Sequence, residues 1–354
     1  MAGPDGLPAV LAVDGGNSKT DVALVGADGS LLASARGPGM NPPRDGMTET
    51  LATLGVLVEQ AATQAGLSSS ARTSPAPGGP VAVHTSACVA NADLPEEEEE
   101  ICRWLEAQRW SRTTSVVNDT FAVLRAGLSG PGPGGQQETG AHWGVAVTCG
   151  AGINCVGLAP DGRTTRYLAL GEISGDWGGG GGLGRAALWW AIRAEDGRGE
   201  PTALRQAVAG HFGAETVRDV TLRIHQGQLS EHALLELAPV LMATAHTGDR
   251  VARNLVSRQA DEICLMILTA MRRLSLTGLA TPVVLGGGLL TARDPLLIGD
   301  IEARLAAGAP RAVVRIIDVP PIAGAALLGL DQVRAGPAAQ DRLRAAYAPA
   351  DLSR

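Results

Sequence analysis

Four clusters of glycine stand at the ends of apolar segments or next to them, at residues 15–16, 150–152, 178–182 and 286–288. Glycine adopts a positive φ without strain, so a glycine turn can aim several backbone N–H groups at one anion. One such cluster alone means little. Several of them at strand ends indicate a nucleotide held between two α/β domains, because α/β sheets bind ligands at that edge.

The first cluster belongs to the segment AVDGGNSKTDVALV, residues 12–25, which is not a P-loop. Ser18 precedes Lys19, where the P-loop pattern requires glycine. The residues that follow, from Thr20 onward, have strand character, so the pattern predicts an antiparallel hairpin whose turn contacts an anion. An ordinary hairpin turn explains this segment equally well when it is considered alone.

Three aspartates accompany the clusters, and each has two interpretations. Asp119, in VVNDTFAVLRAG, is either a helix N-cap or a general base for a hydroxyl that attacks a phosphoryl group. Asp14, at the end of the first strand, is either a turn residue or a Mg²⁺ ligand, directly or through water. Asp176, in the run GDWGGGGGLG, is either a turn residue or a ligand of substrate hydroxyls.

The glycine run at residues 178–182 is also open to two interpretations. A flexible linker has this composition. An apolar strand, YLAL, precedes it closely and a helix is predicted to start near Leu183, which favours the N-terminus of a helix. Such a terminus is an anion site.

The elements that must position these residues repeat one order. An apolar strand, a glycine turn, a second apolar strand and an Asp-Gly turn open the chain, and the same order returns from Trp143 onward. This spacing predicts a duplicated domain. The segment NADLPEEEEEICRWLEAQRW, residues 91–110, predicts a helix that starts near Pro95 with a solvated acidic first turn. In the helical stretch of residues 183–277, one apolar face contains Leu255, Val256, Ile263, Ile267, Met271 and Leu274.

The composition bounds the class of protein. The 354 residues exceed what one core usually supports, and 45% are hydrophobic, so two domains are expected. A net charge of −7 argues against nucleic-acid and anionic-membrane partners. Five cysteines without a CxxC pair, no signal-peptide pattern and no apolar run of membrane-spanning length predict a cytoplasmic protein with reduced thiols.

Five segments, in this order, resemble the N-acetylglucosamine kinases: AVDGGNSKTDVALV, VVNDTFAVLRAG, TCGAGINC, GEISGDWGG and VVLGGGLL. These kinases belong with the ATPases that include activators of acyl-CoA reductases and dehydratases, in the superfamily of actin, hexokinase and the heat-shock ATPases. The resemblance covers roughly residues 10–330. It implies two α/β, ribonuclease-H-like (actin/hexokinase-type) domains, with a nucleotide and sugar cleft between them. The implied domains are residues 1–119, joined by a C-terminal helix at about 322–350, and residues 120–321 with a helical insertion.

The same resemblance implies a role for individual residues. Asp119 matches the catalytic aspartate, and Asp14 would lie beside the metal. The residues matched to nucleotide binding are Gly15, Gly16, Asn17, Ser18, Lys19 and Thr20 in a first phosphate loop, Thr148, Gly150, Ala151 and Gly152 in a second, and Gly286, Gly287 and Gly288 in an adenosine motif. The residues matched to sugar binding are Asn41, Asn118, Asp119, Asn154 and Asp176.

The sequence departs from the family pattern around the sugar and the γ-phosphate. Ala151 stands where the second loop usually has threonine, so one hydroxyl contact is missing. Trp177, Gly178 and Gly179 replace an acidic residue, glycine and serine. A tryptophan–glycine pair is replaced around Leu170 and Gly171.

The function that the resemblance implies is an ATP-dependent kinase that phosphorylates an amino sugar, first of all N-acetylglucosamine to its 6-phosphate, with Mg²⁺. The protein would be a homodimer. Glucosamine or another hexosamine is the alternative acceptor. An ATPase that activates a redox enzyme is a second alternative, but it needs cysteines for an iron–sulfur cluster, and no suitable pair is evident. A third alternative is a sugar- or nucleotide-sensing regulator; the acidic pI disfavours a DNA-binding one.

Overall fold

The computed structural model describes residues 7–41, 46–67, 79–128 and 142–348. The chain divides into two compact units, one formed by Met1–His142 with Ile317–Arg354 and the other by Trp143–Ile316. The sequence predicted a boundary at residue 119, but the first unit extends to His142, because the helix that begins at Asp119 packs within it.

Each unit is built around one five-stranded sheet. The strands are β1 (Val10–Gly15), β2 (Lys19–Val25), β3 (Leu31–Pro38), β4 (Ala82–Val89), β5 (Ser111–Asn118), β6 (Gly144–Cys149), β7 (Ile153–Leu158), β8 (Thr164–Arg166), β9 (Pro282–Gly286) and β10 (Val313–Ile316). The first sheet has the order β3-β2-β1-β4-β5 and the second β10-β9-β6-β7-β8.

Helices connect and cover the strands. They are α1 (Met47–Gln64), α2 (Pro95–Ala107), α3 (Asp119–Gly127), α4 (Gly179–Glu195), α5 (Leu204–His211), α6 (Val217–His225), α7 (Leu237–His246), α8 (Arg250–Arg273), α9 (Gly288–Thr291), α10 (Pro295–Gly308), α11 (Pro321–Gln332) and α12 (Pro337–Tyr347). Short 3-10 turns occupy Gly171–Ser174 and Glu231–Glu236.

The two sheets share one arrangement, which confirms the predicted internal repeat. In the first sheet β1, β2 and β3 pair antiparallel, while β4 and β5 join β1 in parallel. In the second sheet β6, β7 and β8 pair antiparallel, while β9 and β10 extend from β6 in parallel. The carboxyl ends of the parallel strands therefore gather at one edge in each unit, which is where such sheets bind ligands.

Alternation along β1 gives the first unit two apolar layers. Leu11 and Val13 face a core that includes Leu54 and Leu57 of α1. Val10 and Ala12 face the opposite core, which α11 and α12 close from the far end of the chain. Because successive strand residues point to opposite faces, a continuous apolar strand is buried on both sides.

The second unit has one large core between its sheet and its helices. All six residues predicted for the apolar face of α8 are buried, which confirms that prediction. No helix among the described residues is both long and apolar enough to span a membrane.

Candidate active site

The first glycine cluster forms the turn between β1 and β2, and the predicted antiparallel hairpin is confirmed. The N–H of Gly16 donates to the carbonyl of Lys19 at 3.0 Å, and the carbonyl of Gly16 accepts from Met40 at 2.9 Å. Asn17 and Ser18 at the tip are exposed. Among the residues that the structure describes, no protein group accepts from their backbone N–H groups, so both are available to an anion.

Gly39 holds this turn from behind. A Cβ at Gly39 would overlap the carbonyl oxygen of Asn17, and it would lie 2.5 Å from the carbonyl carbon of Asn17 and 2.9 Å from the nitrogen of Ser18. Only glycine therefore lets the segment before Asn41 pass so close to the turn. The side chain of Asn41 contacts the same turn, because its Nδ2 donates to Asn17 Oδ1 at 3.3 Å.

With ATP, the nucleotide that the resemblance implies, replacing Gly39 by Ala is expected to raise the KM about tenfold or more, because the added methyl group must displace the Asn17–Ser18 peptide. The matched control is Gly79→Ala, since a Cβ at Gly79 meets no atom within 4 Å. Steady-state kinetics at saturating acceptor measure both variants. Equal KM values in the two variants would mean that the turn does not contact the nucleotide.

Asp14 lies near the end of β1 in a row of charges that crosses three strands. Asp14 is directly opposite Asp21 on β2, and Asp21 is opposite Arg36 on β3. Arg36 binds Asp21 through two hydrogen bonds, from Nε at 2.5 Å and from Nη2 at 3.1 Å. Lys19 Nζ also lies 3.3 Å from Asp21 Oδ2. Two cations therefore compensate Asp21, and the predicted phosphate ligand Lys19 is held by this carboxylate.

The Asp14 carboxylate makes no such contact, and Lys19 and Arg36 lower its pKa only through their charge at a distance. It is buried, and among the described residues it takes part in no hydrogen bond or ion pair. Burial, followed by the charges of Asp119 and Asp21, raises its pKa to about 7. Like charges on directly opposed strand positions destabilise a sheet unless a cation compensates them. Mg²⁺ binds proteins through one or two carboxylates together with substrate phosphates, so Asp14 fits a ligand of a magnesium–nucleotide complex.

Asn118, and not Asp119, caps α3. Its Oδ1 accepts from the N–H of Thr120 at 3.0 Å, while Nδ2 donates to Asp93 Oδ1 at 2.8 Å. Glu98 of α2 accepts from the backbone N–H of Asn118 at 2.9 Å. The N-cap interpretation of Asp119 is therefore wrong, because Asn118 already fills that position. The buried amide of Asn118, matched to sugar binding in the sequence, is occupied by these protein contacts.

Asp119 begins α3 at the carboxyl end of β5, so it shares the ligand-binding edge with Asp14. The contact of its carboxylate with Thr120 Oγ1 is long, at 3.4 Å. Desolvation by the surrounding protein raises its pKa to about 6, and the Thr120 hydrogen bonds oppose this shift only partly. A general base with a pKa near the working pH is effective, so Asp119 has the required properties.

The acidic run at the start of α2 is not wholly solvated, which corrects the prediction. Glu99 and Glu100 are exposed, but Glu97 accepts from the backbone of Asp93 and Leu94 and closes the start of the helix. Glu98 reaches the strand end that carries Asp119. A composition-based argument could not separate these glutamates, because their roles depend on which side of α2 faces β5.

The second phosphate loop resembles the first in its construction. It is the turn between β6 and β7, closed by the N–H of Gly150, which donates to the carbonyl of Gly152 at 3.0 Å. Ala151 and Gly152 are exposed, and within the described part of the chain their N–H groups have no protein acceptor. Thr148 Oγ1, before this turn, is buried and finds no partner in the described residues; the same is true of Thr20 Oγ1 after the first turn. Buried hydroxyls in this state beside both turns are suited to donate to a bound ligand.

The glycine run forms the first turn of α4, so it is not a linker. Its N–H groups are not available to an anion either, because Gly180 donates to the carbonyl of Gly150 at 2.7 Å and Gly181 to that of Ala151 at 2.9 Å. The anion-site interpretation of this run is therefore wrong. The helix start instead holds the second phosphate loop.

The third glycine motif is confirmed as strand, glycine triplet and helix. Gly286 ends β9 and is paired with Thr148 of β6, so the triplet begins next to the second loop. Gly287 has a φ of 84°, and a Cβ there would overlap the carbonyl oxygen of Cys149. Only glycine allows this close approach.

Asn154 and Asp176 lie in the second unit on different segments. Asn154, on β7, is partly buried, and its Oδ1 accepts from the N–H of Cys155 at 2.7 Å. Asp176 precedes α4, accepts from Ser174 Oγ at 2.5 Å, and lines a pocket of about 210 Å³ together with Tyr167 and Glu262. This pocket gives Asp176 access to a polar ligand.

These features define a class of protein. Two units, each with a mixed five-stranded sheet of the same topology, form a two-domain α/β protein of the actin/hexokinase type. The fold is similar to that of a candidate N-acetylglucosamine kinase from Chromobacterium violaceum, with a TM-score of 0.67 and 24% identity over 92% of this chain and 99% of that one. It is also similar to a ROK hexokinase from Thermus thermophilus, with a TM-score of 0.52 and 18% identity over 92% of this chain and 99% of that one.

The chain belongs to the BadF/BadG/BcrA/BcrD ATPase family, whose sequence profile matches residues 11–329. It is 24% identical, over 284 residues, to the N-acetylmuramic acid/N-acetylglucosamine kinase of Clostridium acetobutylicum, which covers 79% of this chain and 85% of that protein. It is also 24% identical, over 251 residues, to the N-acetyl-D-glucosamine kinase of Dictyostelium discoideum, which covers 70% of this chain and 75% of that protein.

The cysteines bear on the alternatives within this family. Cys88, Cys149, Cys155 and Cys264 are buried, and Cys102 is partly buried on α2. Burial raises the pKa of Cys149 to about 12 in the ligand-free protein. Iron–sulfur clusters are held by thiolates. The burial of four of the five thiols does not favour an activator that carries such a cluster.

Proposed function

We propose that this protein is an ATP-dependent kinase that transfers a phosphoryl group to a hydroxyl of an amino sugar. The observation that carries the proposal is the state of Asp119. Its carboxylate stands at the carboxyl end of β5, is released from helix capping by Asn118, and has a pKa raised to about 6. A carboxylate in this state is suited to accept the proton of an attacking hydroxyl.

The reaction divides among the residues as follows. Asp119 takes the proton from the sugar hydroxyl as the oxygen attacks the γ-phosphorus of ATP, and ADP leaves with the electrons of the broken P–O bond. The N–H groups of Asn17, Ser18, Ala151 and Gly152 stabilise the negative charge on the phosphate oxygens. Asp14 would hold Mg²⁺, which neutralises charge on the β- and γ-phosphates when it is bound. Gly286, Gly287 and Gly288 would contact the adenosine.

N-acetylglucosamine is the acceptor that we propose first, with the 6-hydroxyl as the attacking group. Two proteins to which this chain is 24% identical are named as kinases of this sugar, and one of them also as a kinase of N-acetylmuramic acid. Asn41, Asn154 and Asp176 supply amide and carboxylate groups of the kind that bind sugar hydroxyls. Asn118 would act on the sugar indirectly, because it caps the helix that begins at Asp119. Glucosamine is the second acceptor.

A panel of acceptors tests the proposal. With Mg²⁺ and ATP, ADP release is expected to rise at least tenfold over the sugar-free rate with N-acetylglucosamine, and less with glucosamine, N-acetylmuramic acid and glucose. The position of the new phosphate is read by NMR of the product. A rate of ADP release that no sugar changes would instead favour an ATPase acting on a protein partner.

The proposal extends to the state of the protein in the cell. We propose a cytoplasmic homodimer, on the basis of the resemblance and the reduced thiols. Light scattering of the purified protein, and fractionation of cells that express it, measure these two properties.

A further inference from the structure

We propose that Gln259 of α8 is a positioning residue that sets the shape of the second phosphate loop through the glycine turn of α4. This inference rests on the proposed function for its effect on ATP. Its structural part, namely that Gln259 keeps residues 178–181 in a fixed conformation, does not depend on the reaction.

The first step is the state of the Gln259 side chain. Gln259 is fully buried, and its Oε1 accepts from the N–H of Gly179 at 2.9 Å. The other end of the amide, Nε2, is buried and has no hydrogen-bond partner among the residues that the structure describes. A methionine of similar length would fill the same space without burying an unpaired donor. The carbonyl oxygen of Gln259 is thus the group that distinguishes it from an apolar residue.

The second step leads from Gln259 to the loop. Gly179, fixed by Gln259, is followed by Gly180 and Gly181, whose N–H groups donate to the carbonyls of Gly150 and Ala151. Because these carbonyls face α4, the N–H groups that follow them, those of Ala151 and Gly152, have no protein acceptor in the described part of the chain. The position of Gly179 therefore decides which way the peptide groups of the loop face.

The third step is the fit between the glycines and their neighbours. Gly178 has a φ of 114°, and a Cβ there would overlap the amide of Gln259. Gly179 has a φ of 65°, and a Cβ there would lie 2.5 Å from the carbonyl oxygen of Gly152. Gln259, the two glycines and the loop thus pack against one another as a small cluster. Two departures from the family pattern, Gly178–Gly179 and Ala151, fall within this cluster.

The test compares Gln259→Met with Gln259→Glu. Methionine removes the acceptor for the Gly179 N–H, whereas glutamate keeps a carboxyl oxygen in its place. We expect Gln259→Met to raise the KM for ATP roughly tenfold or more with a smaller change in kcat, and Gln259→Glu to lie between it and the wild type. The melting temperature of Gln259→Met is expected to stay near that of the wild type, because the unpaired Nε2 disappears with the acceptor.

The matched control is Ser257→Ala, on the same helix. Its hydroxyl accepts from Arg304 Nη2 at 2.8 Å and takes no part in the contacts of Gly179. This variant loses a hydrogen bond of α8 but is expected to keep the wild-type KM for ATP.

Amide hydrogen exchange of residues 179–181, followed in the ligand-free protein, provides a readout that does not depend on the reaction. Faster exchange in Gln259→Met than in Ser257→Ala supports the inference. Unchanged exchange in Gln259→Met overturns it, even if the wild type is an active kinase. A wild type without sugar-dependent turnover would overturn the proposed function alone, since the exchange measurement still decides the role of Gln259. If Gln259→Met does not fold, Gln259→Leu, which also lacks the acceptor, takes its place: faster exchange at residues 179–181 than in Ser257→Ala supports the inference, and unchanged exchange overturns it.

Discussion

Replacing Asp119 by Asn is expected to lower kcat by about 10²–10⁴-fold, because an amide cannot accept the proton of the attacking hydroxyl. The dissociation constant for ATP should change little, since the first loop and Asp14 remain. The substitution keeps the size of the side chain and removes one buried negative charge. Rapid-quench measurement of phosphoryl transfer and calorimetric titration with ATP separate the two quantities.

Asp161→Asn is the control for this substitution. Asp161 is an exposed turn residue that binds Arg163, so its loss should leave kcat unchanged. Full activity of the Asp119→Asn enzyme would remove Asp119 from the reaction. The wild type should also lose kcat/KM as the pH falls from about 7 to below 6, because Asp14 and Asp119 both gain protons in the free enzyme over this range.

Replacing Asp14 by Asn is expected to have opposite effects on activity and on stability. Activity should fall by about 10²-fold or more, because one ligand to the magnesium–nucleotide complex is lost. The ligand-free variant should nevertheless be more stable than the wild type at pH 8, since a buried carboxylate without a hydrogen bond or an ion pair is replaced by a neutral amide. Thermal unfolding without and with Mg²⁺ and ATP measures both parts.

The sign of the stability effect follows from the raised pKa of Asp14. The pKa is about 7 in the folded protein, against an ordinary value of 3.8, so the folded state holds the proton more tightly than the unfolded state. The stability that this group contributes is fully present below about pH 4 and is lost as the pH rises through 7. The gain in the free energy of unfolding from Asp14→Asn should therefore be absent at pH 4 and be on the order of a few kcal/mol at pH 8.

A second comparison fixes the interpretation of this variant. Asp21→Asn removes a carboxylate that Arg36 and Lys19 already compensate, so it should destabilise the ligand-free protein at pH 8. If Asp14→Asn were also destabilising at that pH, the Asp14 carboxylate would have a protein partner in solution. Magnesium would then not be needed to explain its position.

The sequence predicted the elements whose signals are local. A hairpin at Gly15–Gly16 follows from apolar strands on both sides of a glycine turn, and the triplet at residues 286–288 follows from a strand and a helix beside it. The repeated order of strands predicted the two sheets. These signals depend on neighbours in the chain, and the pairing of the strands confirms them.

The contacts that order the candidate site were not predictable, because they join residues far apart in the chain. In the sequence, nothing distinguishes Gln259 from other polar residues of its helix, yet its side chain accepts a hydrogen bond from Gly179. Asp21 and Arg36 meet only once the register of three strands is known. Asn118 occupies the helix N-cap position that the sequence also allowed for Asp119. Which of two adjacent residues caps a helix depends on the local backbone angles.

The return of the chain to its first unit has a consequence for the order of synthesis. The face of the first sheet that carries Val10 and Ala12 is covered by α11, and Arg344 of α12 donates to the backbone carbonyls of α3. A ribosome therefore finishes the second unit, which is continuous in sequence, before it has made the helices that complete the first. Until those last residues emerge, an apolar sheet face stays open in the nascent chain, where chaperones bind surfaces of this kind.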